Sequence, residues 1–171
     1  MPTVEELAAE LAEVRALVDR QGSVLAIMDL KARYGELVDQ RFAGGRLVDP
    51  ERLADVTAQV ASLFVEDATW DGGPQLGVAT GREAIAGVLR NPSVAFARHY
   101  FVKPQIQVDG DRASARWDVF SPYRRPNGKV YMMGGVEDDE YVRRDGTWLH
   151  TAMKMTTLFM VQLDDNLKVF G

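Results

Sequence analysis

The chain has 171 residues, 46% of them hydrophobic, enough for one globular domain with a buried core. It contains no cysteine, which excludes disulfides, thiol catalysis and zinc–thiolate sites, and its formal charge of -5 argues against a nucleic-acid partner. No apolar run reaches the length of a membrane span, and the opening "MPTVEELAAELAEV" is acidic and amphipathic, the opposite of a signal peptide. The expectation is therefore a cytoplasmic protein with no membrane partner.

Thr3 and Glu6 have the spacing of a capping box, and Val4, Leu7, Leu11, Val14 and Leu17 follow at helical intervals. "RQGS" is predicted to interrupt or bend this helix, with Ser23 capping a second helix that runs to about Phe42. The division expected is an amphipathic helix over 1–22 and a main domain over 23–171. The apolar stripe of the first helix must be covered, by its own domain or, as favoured here, by a neighbouring subunit. "AGGRLVDP" reads as a loop, and Asp49 before Pro50 caps a helix whose stripe is Leu53, Val56, Val60 and Leu63. "EDATWDGG" is a short strand ending in a glycine turn, and Thr80 with Glu83 is a second capping box, opening the helix "GREAIAGVLRN".

Beyond Asn91 the pattern changes. Asp109-Gly110, Asn127-Gly128 and Asp145-Gly146 are hairpin turns separating strands at about 96–108, 112–122, 129–143 and 147–162. Helices followed by an antiparallel meander make an α+β fold, with helices packed on one face of a curved sheet. Such a cone has an open end that holds a small molecule.

The second helix carries an anomaly. Asp29, Arg33, Glu36 and Gln40 form its wet face, while Asp39 falls in the opposite apolar arc, about 20° from Met28 on ideal geometry. Lys31 and Tyr34 lie in the same arc. A carboxylate there costs several kcal/mol unless it is paired. Lys31 is one candidate partner, although a snorkelling lysine is the simpler reading. The other candidate is His99, one of two histidines, which opens the strand "HYFVKPQIQV". An aspartate accepting from one imidazole nitrogen leaves the other free as a base, and Tyr34 is placed to hydrogen-bond a carbonyl or leaving oxygen. A core histidine satisfied by a nearby acid, without chemistry, is the competing reading.

"IMDLKARYGELVDQ", "FVEDATWDG", "GREAI", "RHYFVKPQIQVDGDRASARW" and "EYVRRDGTW" together resemble the SnoaL-like branch of the nuclear-transport-factor-two-like superfamily, over about residues 24–159. The resemblance implies an α+β cone, often a dimer or trimer, and an activity without cofactor, as in the dehydratases and the dehydrochlorinase of this kind; two histidines without cysteine separately argue against a catalytic metal. It also implies Asp39 and His99 as the catalytic pair, with Tyr34 polarising the substrate. Several relatives carry an arginine on the last strand. Here Met153, Lys154 and Met155 stand there, and Lys154 is the candidate replacement.

Trp70 and Tyr100 flank the proposed cavity by sequence position, and Met132, Met133, Met153 and Met155 offer an adaptable lining; for all of these plain core filling is the alternative. Lys31 completes the candidate substrate-binding residues Trp70, Tyr100, Met133, Met153 and Lys154. His150 shares a strand face with Trp148 and Lys154 on simple alternation, and is read as structural or exposed. "EDDE" at 137–140 alternates faces and reads as a solvated edge rather than a metal site. "GGPQLGVATG" lacks the lysine of a phosphate loop, and no HExxH-like spacing occurs. The expected function is a cofactor-independent lyase eliminating water from a small, mostly apolar oxygenated molecule. An isomerase or a retro-aldol lyase using the same pair, and a non-catalytic binding or assembly domain, are the alternatives; an epoxide hydrolase would need further polar groups around a water.

Overall fold

A computed structural model describes residues 1–163; the last eight residues expected in the main domain lie outside the described residues. Three α-helices and nine strands alternate along it. Helix α1 (Val4–Asp39) opens with the expected capping box, in which Thr3 and Glu6 exchange side-chain bonds. It does not break at "RQGS". Ser23 Oγ bonds back to the Asp19 carbonyl at 2.8 Å, which satisfies the hydroxyl inside the helix instead of at a cap. The two expected helices are one rod of 36 residues.

The loop "AGGRLVDP" contains a miniature hairpin, β1 (Phe42–Ala43) with β2 (Arg46–Leu47). Gly44 and Gly45, at φ +57° and +69°, supply the two positive torsions such a turn demands. Helix α2 (Pro50–Ser62) is capped by Asp49, which accepts from the Arg52 amide at 2.9 Å. Strand β3 (Phe64–Asp71) then pairs with β4 (Val78–Thr80), and α3 (Arg82–Arg90) follows. The second expected capping box is absent. Thr80 is held in the ladder opposite Thr69, and the cap is Gly81 at φ +87°, a torsion a threonine rarely adopts.

The rest is the expected meander: β5 (Phe96–Ala97), β6 (Tyr100–Asp109), β7 (Arg112–Arg124), β8 (Val130–Arg144) and β9 (Thr147–Gln162). The seven-stranded sheet runs β4-β3-β9-β8-β7-β5, with β6 also on β7, and is antiparallel except where β3 meets β9. That parallel pair joins the first and last long strands and bends the sheet round the C-terminal half of α1. Ile27, Leu30, Tyr34, Leu37 and Val38 of α1 bury against Phe64, Trp70, Trp117, Tyr141 and Met153. One inward segment is not an edge at all. "EDDE" lies in β8, between β7 and β9, and turns Glu137 and Asp139 inward while Asp138 and Glu140 face out.

Candidate active site

Asp39 is the last residue of α1, where the carbonyl end of the helix dipole disfavours an anion. Compensation arrives from the sheet. Between β5 and β6 the chain leaves the ladder for two residues, Arg98 and His99. Freed from a strand partner, the His99 amide donates to both Asp39 oxygens, at 3.0 and 3.3 Å. The ring follows: His99 Nδ1 lies 2.8 Å from Asp39 Oδ1. Arg98 Nε adds a third contact, 3.2 Å from Oδ2. The carboxylate is buried, whereas 22% of the imidazole side chain remains accessible. With Nδ1 donating to the carboxylate, Nε2 carries the lone pair. The pair that the sequence suggests therefore meets in space. Arg98 was not among the expected residues, although its place beside a histidine facing an acid was the available signal.

Arg41 secures the same helix end. Its buried guanidinium donates to the carbonyl of Val38, 2.8 Å away, and to that of Leu89 at the end of α3, 3.1 Å away. Two helix C-termini are thereby stitched together beside Asp39, and burial lowers the Arg41 pKa while the neighbouring Tyr34 and Asp39 oppose the shift.

Tyr34 stands inside the cone, its ring 5.9 Å from that of Phe101, which in turn stacks on His99 with centroids 6.4 Å apart. Trp70 Nε1 donates to the Tyr34 oxygen at 3.2 Å. Indole nitrogen is a donor only, so the phenol accepts that bond and its own proton is left to donate elsewhere. Burial, reinforced by the charge of Glu137, raises the Tyr34 pKa, so the phenol keeps that proton. Trp70 thus orients Tyr34 rather than simply filling the core.

Lys31 neither snorkels nor pairs with Asp39. It is 1% exposed and its ammonium is held by Glu137 and by Asp139, the latter at 2.8 Å, with the Phe101 ring 4.2 Å away. Burial alone would depress its pKa, but the two carboxylates outweigh burial and raise it. Burial pushes the Glu137 carboxyl up to about 7 against the pull of Lys31. Tyr141 donates to Asp139 at 2.7 Å and accepts from Trp117 at 3.3 Å, closing a polar network inside the cone. These two acids went unrecognised because an alternating acidic run reads as solvated.

His150 is fully buried against Phe64, Tyr141 and Tyr34, with neither ring nitrogen hydrogen-bonded among the described residues. Burial takes its pKa down to about 3, so the ring is neutral. It does not share a face with Lys154. A register shift pairs Glu140 with Ala152 but Tyr141 with His150, leaving Thr151 as an extra residue. The parity of β9 flips there, so Met153 points into the core and Lys154 points out. Lys154 instead lines an open depression of about 540 Å³ on the outer sheet face, with Arg116, Asp138 and Asp71, and no member of the Asp39–His99 pair reaches it. Tyr100 is likewise turned outward, 52% exposed and opposite Phe120. Met133 packs with Phe42, Ala97 and Tyr123 in a separate small core. Of the expected substrate-facing residues, Lys31, Trp70 and Met153 are therefore interior, Met133 lies in the separate small core, and Tyr100 and Lys154 face outward.

A curved, antiparallel-rich sheet closed by three helices, with a buried acid and an imidazole at one end of the long helix, defines the nuclear-transport-factor-two-like class of cone. Within it, the SnoaL-like domain model matches residues 19–154, and the chain belongs to that family. Solved structures agree on the fold. A hexachlorocyclohexane dehydrochlorinase (LinA, type 2) shares 24% identity, with a TM-score of 0.71 over 86% of this chain and 93% of that one. The type 3 enzyme from Novosphingobium barchaimii LL02 shares 24%, with a TM-score of 0.70 over 85% and 93%. A provisionally assigned scytalone dehydratase from Novosphingobium aromaticivorans DSM 12444 shares 21%, with a TM-score of 0.67 over 88% and 92%. No curated protein matches the chain in sequence. No helix among the described residues is long and apolar enough to cross a membrane.

Proposed function

We propose that this chain is a cofactor-independent lyase that eliminates water, or a comparable leaving group, from a small, mostly apolar oxygenated molecule. The observation that carries the reading is the 2.8 Å contact between Asp39 and His99 Nδ1, with the acid buried and the imidazole side chain 22% accessible. Membership of the SnoaL-like family, and the dehydrochlorinase and dehydratase names of its structural neighbours, support it.

In this mechanism His99 Nε2 removes a proton from the carbon beside an electron-withdrawing group. The C–H electron pair becomes the new double bond as the bond to the leaving oxygen breaks. Asp39 holds the ring and balances the imidazolium. Tyr34, its oxygen occupied by Trp70, donates its proton as a hydrogen bond to the carbonyl or departing oxygen. The leaving hydroxide takes up the proton that the imidazolium returns. If the proton goes back to another carbon, the same residues run an isomerisation; if His99 takes it from a hydroxyl, they run a retro-aldol cleavage. Product analysis separates the three.

The test is a panel of β-hydroxy and β-halo carbonyl compounds, followed by mass spectrometry and by solvent-deuterium exchange at the α-carbon. Asp39→Asn and His99→Gln are expected to cut turnover by about 10³-fold while the fold survives, as judged by circular dichroism. Variants as active as the parent sink the proposed mechanism. A parent that binds panel members without any turnover or exchange favours a binding domain instead.

A further inference from the structure

Among the described residues, nothing covers the first half of α1. Every residue from Met1 to Gly22 is exposed, and the helix makes contact with the cone only from about Asp19, where Arg143 pairs with it at 2.8 Å. Most helical stability in proteins comes from packing an apolar face rather than from propensity, so this half calls for a partner. Its apolar residues repeat alternately at three and four. Val4, Leu11, Val18 and Leu25 take the a positions of a heptad, and Leu7, Val14, Gln21 and Met28 take d. All the apolar members of this seam are exposed, from 40% at Met28 to 83% at Val4. In residues 23–30 the seam lies on the side of the helix away from buried Ser23, Ile27 and Leu30. The helix therefore has two separate apolar faces, one spent on the cone and one open along about 37 Å.

Charge beside the seam selects the occupant. Glu10 stands at g and Arg15 at the following e, the two positions that face each other across a parallel, in-register pair. An antiparallel pair overlapping the same seam would set Arg15 against the Arg15 of the other copy. We propose that residues 4–28 form a parallel, in-register coiled coil with a second copy of this chain, carrying the two cones side by side at its C-terminal end. Gln21 is the single polar residue in the seam and penalises slipped registers, which would bury it against an apolar layer. The proposal is independent of the chemistry at His99.

The absence of native cysteine makes the test direct. Leu11→Cys in the full chain is expected to form a disulfide-linked dimer under mild oxidation, and Glu6→Cys, on the outer face, is not. In sedimentation the parent runs as at least two chains, and Leu11→Glu/Val14→Glu dissociates while its cone keeps the parent's thermal unfolding. Arg15→Glu weakens association several-fold, and Glu10→Arg/Arg15→Glu restores it. A monomeric parent, a Leu11→Glu/Val14→Glu variant that stays assembled, or a Leu11→Cys variant that does not cross-link overturns the proposal.

Discussion

Tyr34 shows how one side chain is set up for a role by another. Its oxygen accepts from Trp70, so removing the hydroxyl does two things: it takes away the donor that the proposed mechanism uses and strands a buried indole N–H. Tyr34→Phe is expected to lower kcat by about 10- to 100-fold and to cost about 1–2 kcal/mol in urea unfolding. Trp70→Phe leaves the phenol in place and is expected to reduce kcat less. Equal kcat losses would show that the hydroxyl acts only when Trp70 holds it. Neither the Trp70 bond nor the Arg98 contact to Asp39 is legible in the sequence, because both join residues far apart in the chain or across a strand break. Asp39 and His99 themselves are legible: one is a polar residue in an apolar helical arc, the other one of only two histidines.

At the level of elements, the site depends on how helix ends are tied down. Arg41 supplies two hydrogen bonds to carbonyls that no helical partner satisfies, one in α1 and one in α3. Arg41→Met keeps much of the packing but leaves those carbonyls bare. It is expected to cost about 2 kcal/mol and, by loosening the turn that carries Asp39, to reduce turnover as well. A melting temperature equal to the parent's would show the carbonyls find other partners. Strand β9 teaches a different lesson. Two-residue alternation puts His150 and Lys154 on one face, and a single extra residue, Thr151, puts them on opposite faces. The bulge has no local sequence signature, since it is imposed by what must pack on either side of β8 and β9.

Across the whole molecule, the sheet is two-sided. Its inner face surrounds an ionic cluster of Lys31, Glu137 and Asp139, and its outer face carries Arg116, Asp138 and Lys154 in register. The cluster ties stability to pH. Burial raises Glu137 from 4.5 to about 7, so the folded state holds this proton more tightly than the unfolded chain. The contribution is fully present below about 4.5 and is lost as pH rises through 7. His150 works in the other direction: lowered from 6.5 to about 3, it contributes above 6.5 and loses that contribution as pH falls. Glu137→Gln removes only the first dependence. Relative to the parent, the variant is therefore expected to gain stability from pH 5 to about 7 and to level off above it, measured by urea unfolding at each pH. A difference that does not change with pH would show that Glu137 titrates normally.

Periodicity and turn chemistry act locally, and they alone determined the α+β class, the meander and its Asp-Gly and Asn-Gly hairpins, and the Asp49 cap. The same local logic isolated Asp39 as a carboxylate in need of a partner. What the tertiary structure decided was every contact that crosses the chain: the pairing of Asp39 with His99 and Arg98, the burial of Lys31 between two acids, and the outward turn of Tyr100 and Lys154. It also decided that α1 continues through Gly22, where the Ser23 hydroxyl bonds back to the Asp19 carbonyl and Arg143 pairs with Asp19, contacts that offset the small local penalty of a glycine in a helix. Local rules specify which face of an element is apolar; only packing specifies what that face meets.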